Sequence, residues 1–408
     1  MISKKRAITG AIILVLITGI FTFTVSNIVG LTVGDKVVIS KRDYTYYKDL
    51  NKTYGKMLGL KEYINENYYK PVNEANFEDW LIRGLFASLE DPYSQYMDKA
   101  EFATFMEHTE GNYYGGIGVI MTPGEDGLIT VVEPFQGSPG DQAGLKPGDK
   151  IIGVDGEGVI AERLDQAVTK IKGKEGTKVT LTVLKKGSKD PVDVVITREK
   201  VRSQTVSTKM LKDHIGYIRM SMFDEHTSED FLKRLKELED QNIKGLVIDL
   251  RNNPGGLLDE CVKVADRLLG EQTIVYTMDR AGKKEYKKSN KDHVNYPFVL
   301  LVNKGSASAS EILSGAVQDT KSGELIGTTT FGKGLVQQIQ GLKDGSGFRL
   351  TTAQYFTPNG TYIHGKGIAP DIEVPLPKEL EEKLYLITYE EDVQLQKAVE
   401  VLEEKIKK

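Results

Sequence analysis

"KGLVIDLRNNPGGLLDECVKVADRLLG", residues 244–270, reads as strand, tight loop and helix in one breath. "GLVIDL" is a short apolar run broken only by Asp249, the mark of a strand buried on both faces. "NNPGG" is a loop. "LLDECVKVADRLL" then repeats its apolar residues at helical spacing, and Gly270 closes it. Working outward, the same alternation continues. "GYIRMSMF" (216–223) predicts a strand and "SEDFLKRLKELEDQ" (228–241) an amphipathic helix with Ser228 as its cap. "FVLLVN" (298–303) is another buried strand, followed by a serine-rich loop and a helix to about Asp319. "ELIGTTTFGKG" (324–334) gives a strand and a turn, and "LVQQIQGL" and "FRLTTAQYFT" a hairpin joined at "KDGSG". Such alternation implies a strand layer covered by helices.

The rest of the 408 residues differs in character. Residues 44–108 carry helical periodicity that stops at Pro71 and again at Asp91-Pro92. Residues 111–200 are glycine-punctuated short strands with one or two short helices, such as "AERLDQAVTKI". "GGIGVI" lacks the spacing and the following helix of a dinucleotide loop. The tail from Pro377 is helical and charged. At the start, Lys4, Lys5 and Arg6 precede an uncharged run, Ala7–Val29. As a helix it would span roughly 34 Å, enough for a bilayer core, with the basic flank held in the cytoplasm. An uncleaved anchor is expected over a cleaved signal peptide, because no Ala-x-Ala-like site follows. The divisions expected are 1–34 stub and anchor, 35–110 helical segment, 111–200 β-rich domain, 201–376 α/β core and 377–408 C-terminal helical segment.

A net charge of -4 offers no basic field for nucleic acid. The single cysteine, Cys261, rules out an internal disulfide and a cysteine-based zinc site, and is read as a core residue.

Chemistry concentrates in "NKGSASASEILSGAVQD" (303–319). Among its serines only Ser308 has Glu three residues on, the capping-box signature of a helix start. A hydroxyl there sits beside unpaired N–H groups, and the Ala309 N–H could bind a developing oxyanion. The same position also suits a plain helix cap. Five scattered histidines offer no obvious base. Lys333, between two glycines in "TFGKGLVQ", is the other option. It must fall from about 10.4 to near 7, a shift that burial of a lysine can supply. Lysine bases for serine nucleophiles occur. Gly255 and Gly256 of "NNPGG" offer further N–H donors and close backbone approach.

Together these segments resemble the carboxy-terminal processing peptidases, serine proteases of bacterial envelopes and plastids. "SLEDPYSQYM", "GYIRMSMF", "GLVIDLRNNPGGLL", "SASASEI", "TFGKGLVQ" and "GKGIAPDIEV" follow that family's order and spacing. The resemblance implies a crotonase-like α/β core. It places the nucleophile on Ser308, the base on Lys333, the residue orienting that lysine on Gln337, and the oxyanion donors on Ala309 with Gly255 or Gly256. No metal or other cofactor is implied. It also makes residues 111–200 a PDZ domain. There Gly115, Gly116, Ile117 and Gly118 would bind a chain-terminal carboxylate, and the following strand would accept an extended peptide. Leu164, Ala167, Val168 and Ile171 would form the helical wall of that groove. The implied protein is a single-pass bacterial membrane endopeptidase with its catalytic part outside the cytoplasm. Its partners would be proteins bound by their C-terminal tails, with a homodimer suggested by the flanking helices; an activating partner is left open. A membrane-anchored, non-catalytic PDZ scaffold is the alternative. A trypsin-like PDZ protease lacks its Gly-x-Ser-Gly-Gly loop here.

Overall fold

The computed structural model describes residues 3–28, 31–33, 36–109, 114–124, 126–135, 137–202, 204–381, 383–384 and 387–407. The chain divides into two compact units, Met1–Leu81 and Ile82–Lys408. In the first, helix Lys4–Ile28 is apolar and long enough to cross a membrane. Helix Lys41–Asn67 follows, started by Ser40, whose side chain accepts from the Asp43 N–H, and it buries none of its residues.

In the second unit, residues 82–109 join the α/β part of the chain. Strand Gln95–Met97, which the helical periodicity of the sequence hides, pairs antiparallel with Gly347–Phe356. The turn before it, Asp91 to Ser94, is thereby fixed beside that sheet.

The core sheet runs Val206–Met210, Ile215–Met220, Gly245–Asp249, Phe298–Val302, Glu324–Gly327, Ile372–Glu373. Its first pair is antiparallel and the rest are parallel. Gly245–Asp249 and Phe298–Val302 are buried at every residue, as their continuous apolar runs require. One face packs on helices Thr227–Glu239, Leu258–Leu269 and Ala309–Thr320, the other on Val393–Ile406. The first of these helices starts one residue before Ser228. Thr227 Oγ1 accepts from the Asp224 N–H, and Ser228 N–H donates to Glu260 Oε2. Each fully buried Leu or Ile here stabilises the fold by about 1.5–3 kcal/mol.

A second sheet orders Lys284–Lys288, Thr273–Asp279, Gly347–Phe356 and Leu335–Gly341, the last two forming the expected hairpin. A third, antiparallel sheet lies between residues 119 and 197, with its own apolar core. Val119–Pro123 is at its edge.

Beneath the core sheet, Arg251 is 2% exposed and bonds Asp249, Asp392 and Gln394. Burial acts to raise the Asp249 carboxyl, but the Arg251 guanidinium outweighs it and holds the group down to about 2. This ties the end of strand Gly245–Asp249 to the C-terminal helix. Cys261 is fully buried, and burial pushes its thiol up.

Candidate active site

Strand Phe298–Val302 gives way to a loop at Asn303, and helix Ala309–Thr320 begins at the far end of that loop. Loop and helix start separate three serines. Ser306 and Ser310 are fully buried, and their hydroxyls donate to the carbonyl oxygens of Leu250 and Asn253. Both therefore hold the loop against the "NNPGG" turn. Ser308 alone is half-exposed. Its backbone sits at φ 54°, ψ -113°, a region sparsely populated by residues with a Cβ. Of the capping pair, the Ser308 N–H donates to the Glu311 carboxylate, and among the described residues no bond caps the helix through the Ser308 hydroxyl. The Glu311 N–H donates instead to the Ser308 carbonyl oxygen at 2.9 Å, so the cap does not depend on the hydroxyl.

Glu311 does more than the capping pattern suggests. Its fully buried carboxylate accepts from Ser308 N–H at 2.9 Å, Thr330 Oγ1 at 2.6 Å, Gly332 N–H at 2.6 Å and Lys333 N–H at 2.8 Å. One carboxylate thus joins the serine loop to the lysine turn. Gly332 has φ 92°, and a Cβ there would lie 2.8 Å from the Gly367 nitrogen. The glycine beside the lysine is required by this close packing.

Lys333 is half-buried. Burial pushes its ammonium below the ordinary lysine value, Arg349 adds to that push, and Asp91 and Glu311 oppose it. Its Nζ lies over the Tyr93 ring, 4.9 Å from the centroid. Among the described residues no hydrogen bond joins Lys333 to Ser308 or to Gln337. Gln337 Nε2 donates instead to Thr351 Oγ1 at 3.3 Å. Thr351 N–H in turn bonds Ser94 Oγ, and Ser94 Oγ donates to Asp91. Asp91 and Tyr93 were not legible as site residues. They lie more than two hundred residues before Lys333, and the pairing of Gln95–Met97 with Gly347–Phe356, together with the Ser94–Thr351 bond, brings them here.

The candidate oxyanion donors differ from one another. Ala309 N–H, at the first helical position, makes no hydrogen bond among the described residues. The Gly255 backbone packs so closely on Ser308 that a Cβ would lie 2.8 Å from the Ser308 Cβ. Its N–H, however, is already given to Asn253 Oδ1 at 2.9 Å. Gly256 lies beside Phe223 in a parallel bridge. A cleft of about 670 Å³ opens next to this turn, floored by Leu257, Leu258, Val336 and Ala353.

In the 119–197 sheet region, Gly115 and Gly116 end a short strand paired with Glu199–Val201. Ile117 is 2% exposed and Gly118 has φ 66°. Helix Leu164–Ile171 turns Ala167 and Ile171 into the domain core, at 1% and 3% exposure. Four-residue spacing puts those two on the inward face. Ile171 is therefore a core residue rather than an open groove residue, and Leu164 and Val168 remain half-buried on the helix surface.

Known proteins match these parts separately and together. Models for peptidase family S41, for a PDZ domain and for the activating protease CtpB N-terminal domain match residues 214–374, 129–185 and 17–101. The carboxy-terminal processing protease CtpB of Bacillus subtilis (strain 168) is 40% identical over 333 residues, 80% of this chain and 69% of that protein. The carboxy-terminal processing protease CtpA of the same organism is 37% identical over 333 residues, 81% of this chain and 69% of that protein. A Bacteroides fragilis structure named for the S41 proteases aligns with a TM-score of 0.56 over 78% of this chain and 87% of that one. At 15% identity it speaks to the fold alone. The chain belongs to peptidase family S41, as a PDZ-containing carboxy-terminal processing serine protease.

Proposed function

We propose that the chain is an envelope endopeptidase that binds protein C-terminal tails on its PDZ domain and cuts them with a Ser308/Lys333 dyad. The observation that carries this reading is the Glu311 carboxylate, which takes the N–H groups of both residues although 25 positions separate them. In the reaction, neutral Lys333 accepts the Ser308 proton as Oγ attacks the scissile carbonyl carbon. Ala309 N–H and a "NNPGG" glycine N–H bind the oxyanion, each contributing about 3–4 kcal/mol. For Gly255 this requires release from Asn253. Collapse breaks the C–N bond, and Lys333 gives its proton to the leaving amine. Water, deprotonated by the Lys333 amine, then attacks the acyl carbon; the Oγ–C bond to Ser308 breaks, Lys333 returns the proton to Oγ, and the acyl group leaves as a carboxylic acid. Gln337 orients the amine once Lys333 has left Tyr93. The cleft beside Leu257 takes the substrate flank.

A crotonase-like reading of the core fits a largely parallel sheet with the nucleophile at a helix start. The tail binds along edge strand Val119–Pro123, with its carboxylate at Gly115–Gly118 and side chains against Leu164 and Val168. Domain divisions at about residues 34, 110, 200 and 376 belong to the same proposal, with residues 82–109 packing in the unit Ile82–Lys408. Helix Lys4–Ile28 anchors the chain in the membrane, with the protease outside the cytoplasm. Exposed Tyr44, Tyr47, Tyr63 and Trp80 of the first unit support a homodimer.

The test is digestion of an unfolded protein such as casein by the full chain and its Ser308→Ala and Lys333→Ala variants. Loss of cleavage with unchanged circular dichroism is expected. Full activity in either variant would remove the dyad.

A further inference from the structure

Lys333 does not lie free in the site. Its ammonium rests on the face of Tyr93 at 4.9 Å from the ring centroid. That ring is itself fixed. Tyr93 N–H donates to Asp91 Oδ1 at 3.0 Å, and the Asp91–Ser94–Thr351 chain of hydrogen bonds pins the turn to strand Gly347–Phe356. His364 packs edge-on to the same ring at 6.2 Å. We propose that Tyr93 is a positioning residue of the peptidase site, whose ring is the resting seat of the Lys333 ammonium and favours the protonated amine over the neutral one. The inference rests on Lys333 being the base.

The chemistry is one-sided. An aromatic face attracts a cation and does little for a neutral amine. The seat therefore opposes burial, and each turnover begins with Lys333 leaving the ring and losing its proton before it meets Ser308 Oγ. The other charged groups that act on Lys333 are Arg349, Asp91 and Glu311. Asp91 is held below the usual carboxylate range: burial acts against this, and bonds from Ser94, Thr351 and the Tyr93 N–H prevail. Its carboxylate is thus held in the charged form.

The experiment is the pH profile of kcat/KM from pH 5 to 10 for the full chain on a fluorogenic peptide. Cleavage needs the neutral amine, so the acid limb reports the lysine. Removing the ring's attraction lowers the lysine pKa, and the midpoint in Tyr93→Leu should fall by about half a pH unit. Tyr93→Phe keeps the face and should leave the midpoint in place. Should the leucine variant fail to fold, tetrafluorophenylalanine at position 93 keeps the shape and removes the negative face, and its midpoint should fall alike. A His364→Gln background keeps an imidazole proton from being mistaken for the lysine's. A merely structural tyrosine would change the plateau and leave the midpoint fixed; that result, or a rising midpoint, overturns the proposal. Lys333→Ala separates the two readings. If it cleaves normally, the dyad itself fails and this inference with it; if it is inactive and the midpoints do not move, only the seat fails.

Discussion

At Ser308 the backbone is bent to φ 54° and flanked by buried neighbours, Ala307 at 8% and Ala309 at 1% exposure. At Lys333 the backbone has no such bend, and a four-carbon arm carries the amine away to Tyr93. Both backbones hang on the same Glu311 oxygens. One half of the site is fixed at the Cα; the other is fixed at the Cα and adjustable at the amine. The difference suggests that the enzyme stores its precision in the main chain and leaves its last step to one side-chain rotation.

The strongest way to break this comparison is to remove either functional group. Ser308→Ala and Lys333→Ala should each lower kcat by about 10⁴-fold or more, as loss of a nucleophile or its base does elsewhere. Next, Glu311→Ala removes the shared anchor of four donors, two of them, Thr330 Oγ1 and the Gly332 N–H, buried. A loss of about 3–5 kcal/mol in urea unfolding is expected, together with most of the activity. If activity survives while stability falls, the carboxylate holds the fold and not the dyad.

A control lies away from the site. Arg251→Met strands two buried carboxylates and should also cost about 3–5 kcal/mol, with the dyad chemistry intact in the surviving folded fraction. Its pH signature is specific. The folded Asp249 value lies below the unfolded one, so its stabilising contribution is present above about pH 4 and is lost as pH falls toward 2. In the variant that acid transition should move upward in pH by circular dichroism. The smallest effect concerns Lys333 itself. Its folded value lies below the unfolded one, so at neutral pH the buried ammonium destabilises the fold, and stability recovers as pH rises through the folded value. Lys333→Met should therefore raise Tm slightly at pH 7, and less at pH 10.

The buried strands and amphipathic helices of the core were legible because their periods differ and they lie between clear breakers. Strand Lys284–Lys288, "KEYKK", was not, since its only signature is its partner Thr273–Asp279. Ser308 could be read because the capping pattern is local. Lys333 stood out by its two glycines, and the family resemblance joined the two. Asp91 and Tyr93 lie in the quoted segment "SLEDPYSQYM", but nothing local marks them as site residues: a proline turn after a helix looks the same whether or not a distant sheet gathers it. The wrong face assigned to Ile171 came from treating every apolar residue of a short helix as groove-facing. Four-residue spacing commits some of them inward.

The bend at Ser308 carries a further consequence. A β-branched residue is intolerant of positive φ, so a threonine hydroxyl, chemically adequate, has no place to stand here. Glycine, which has no such objection, would relieve the main chain while erasing the reaction. The most comfortable occupant of position 308 is therefore a dead one, and proteolysis survives there only against the local conformational preference.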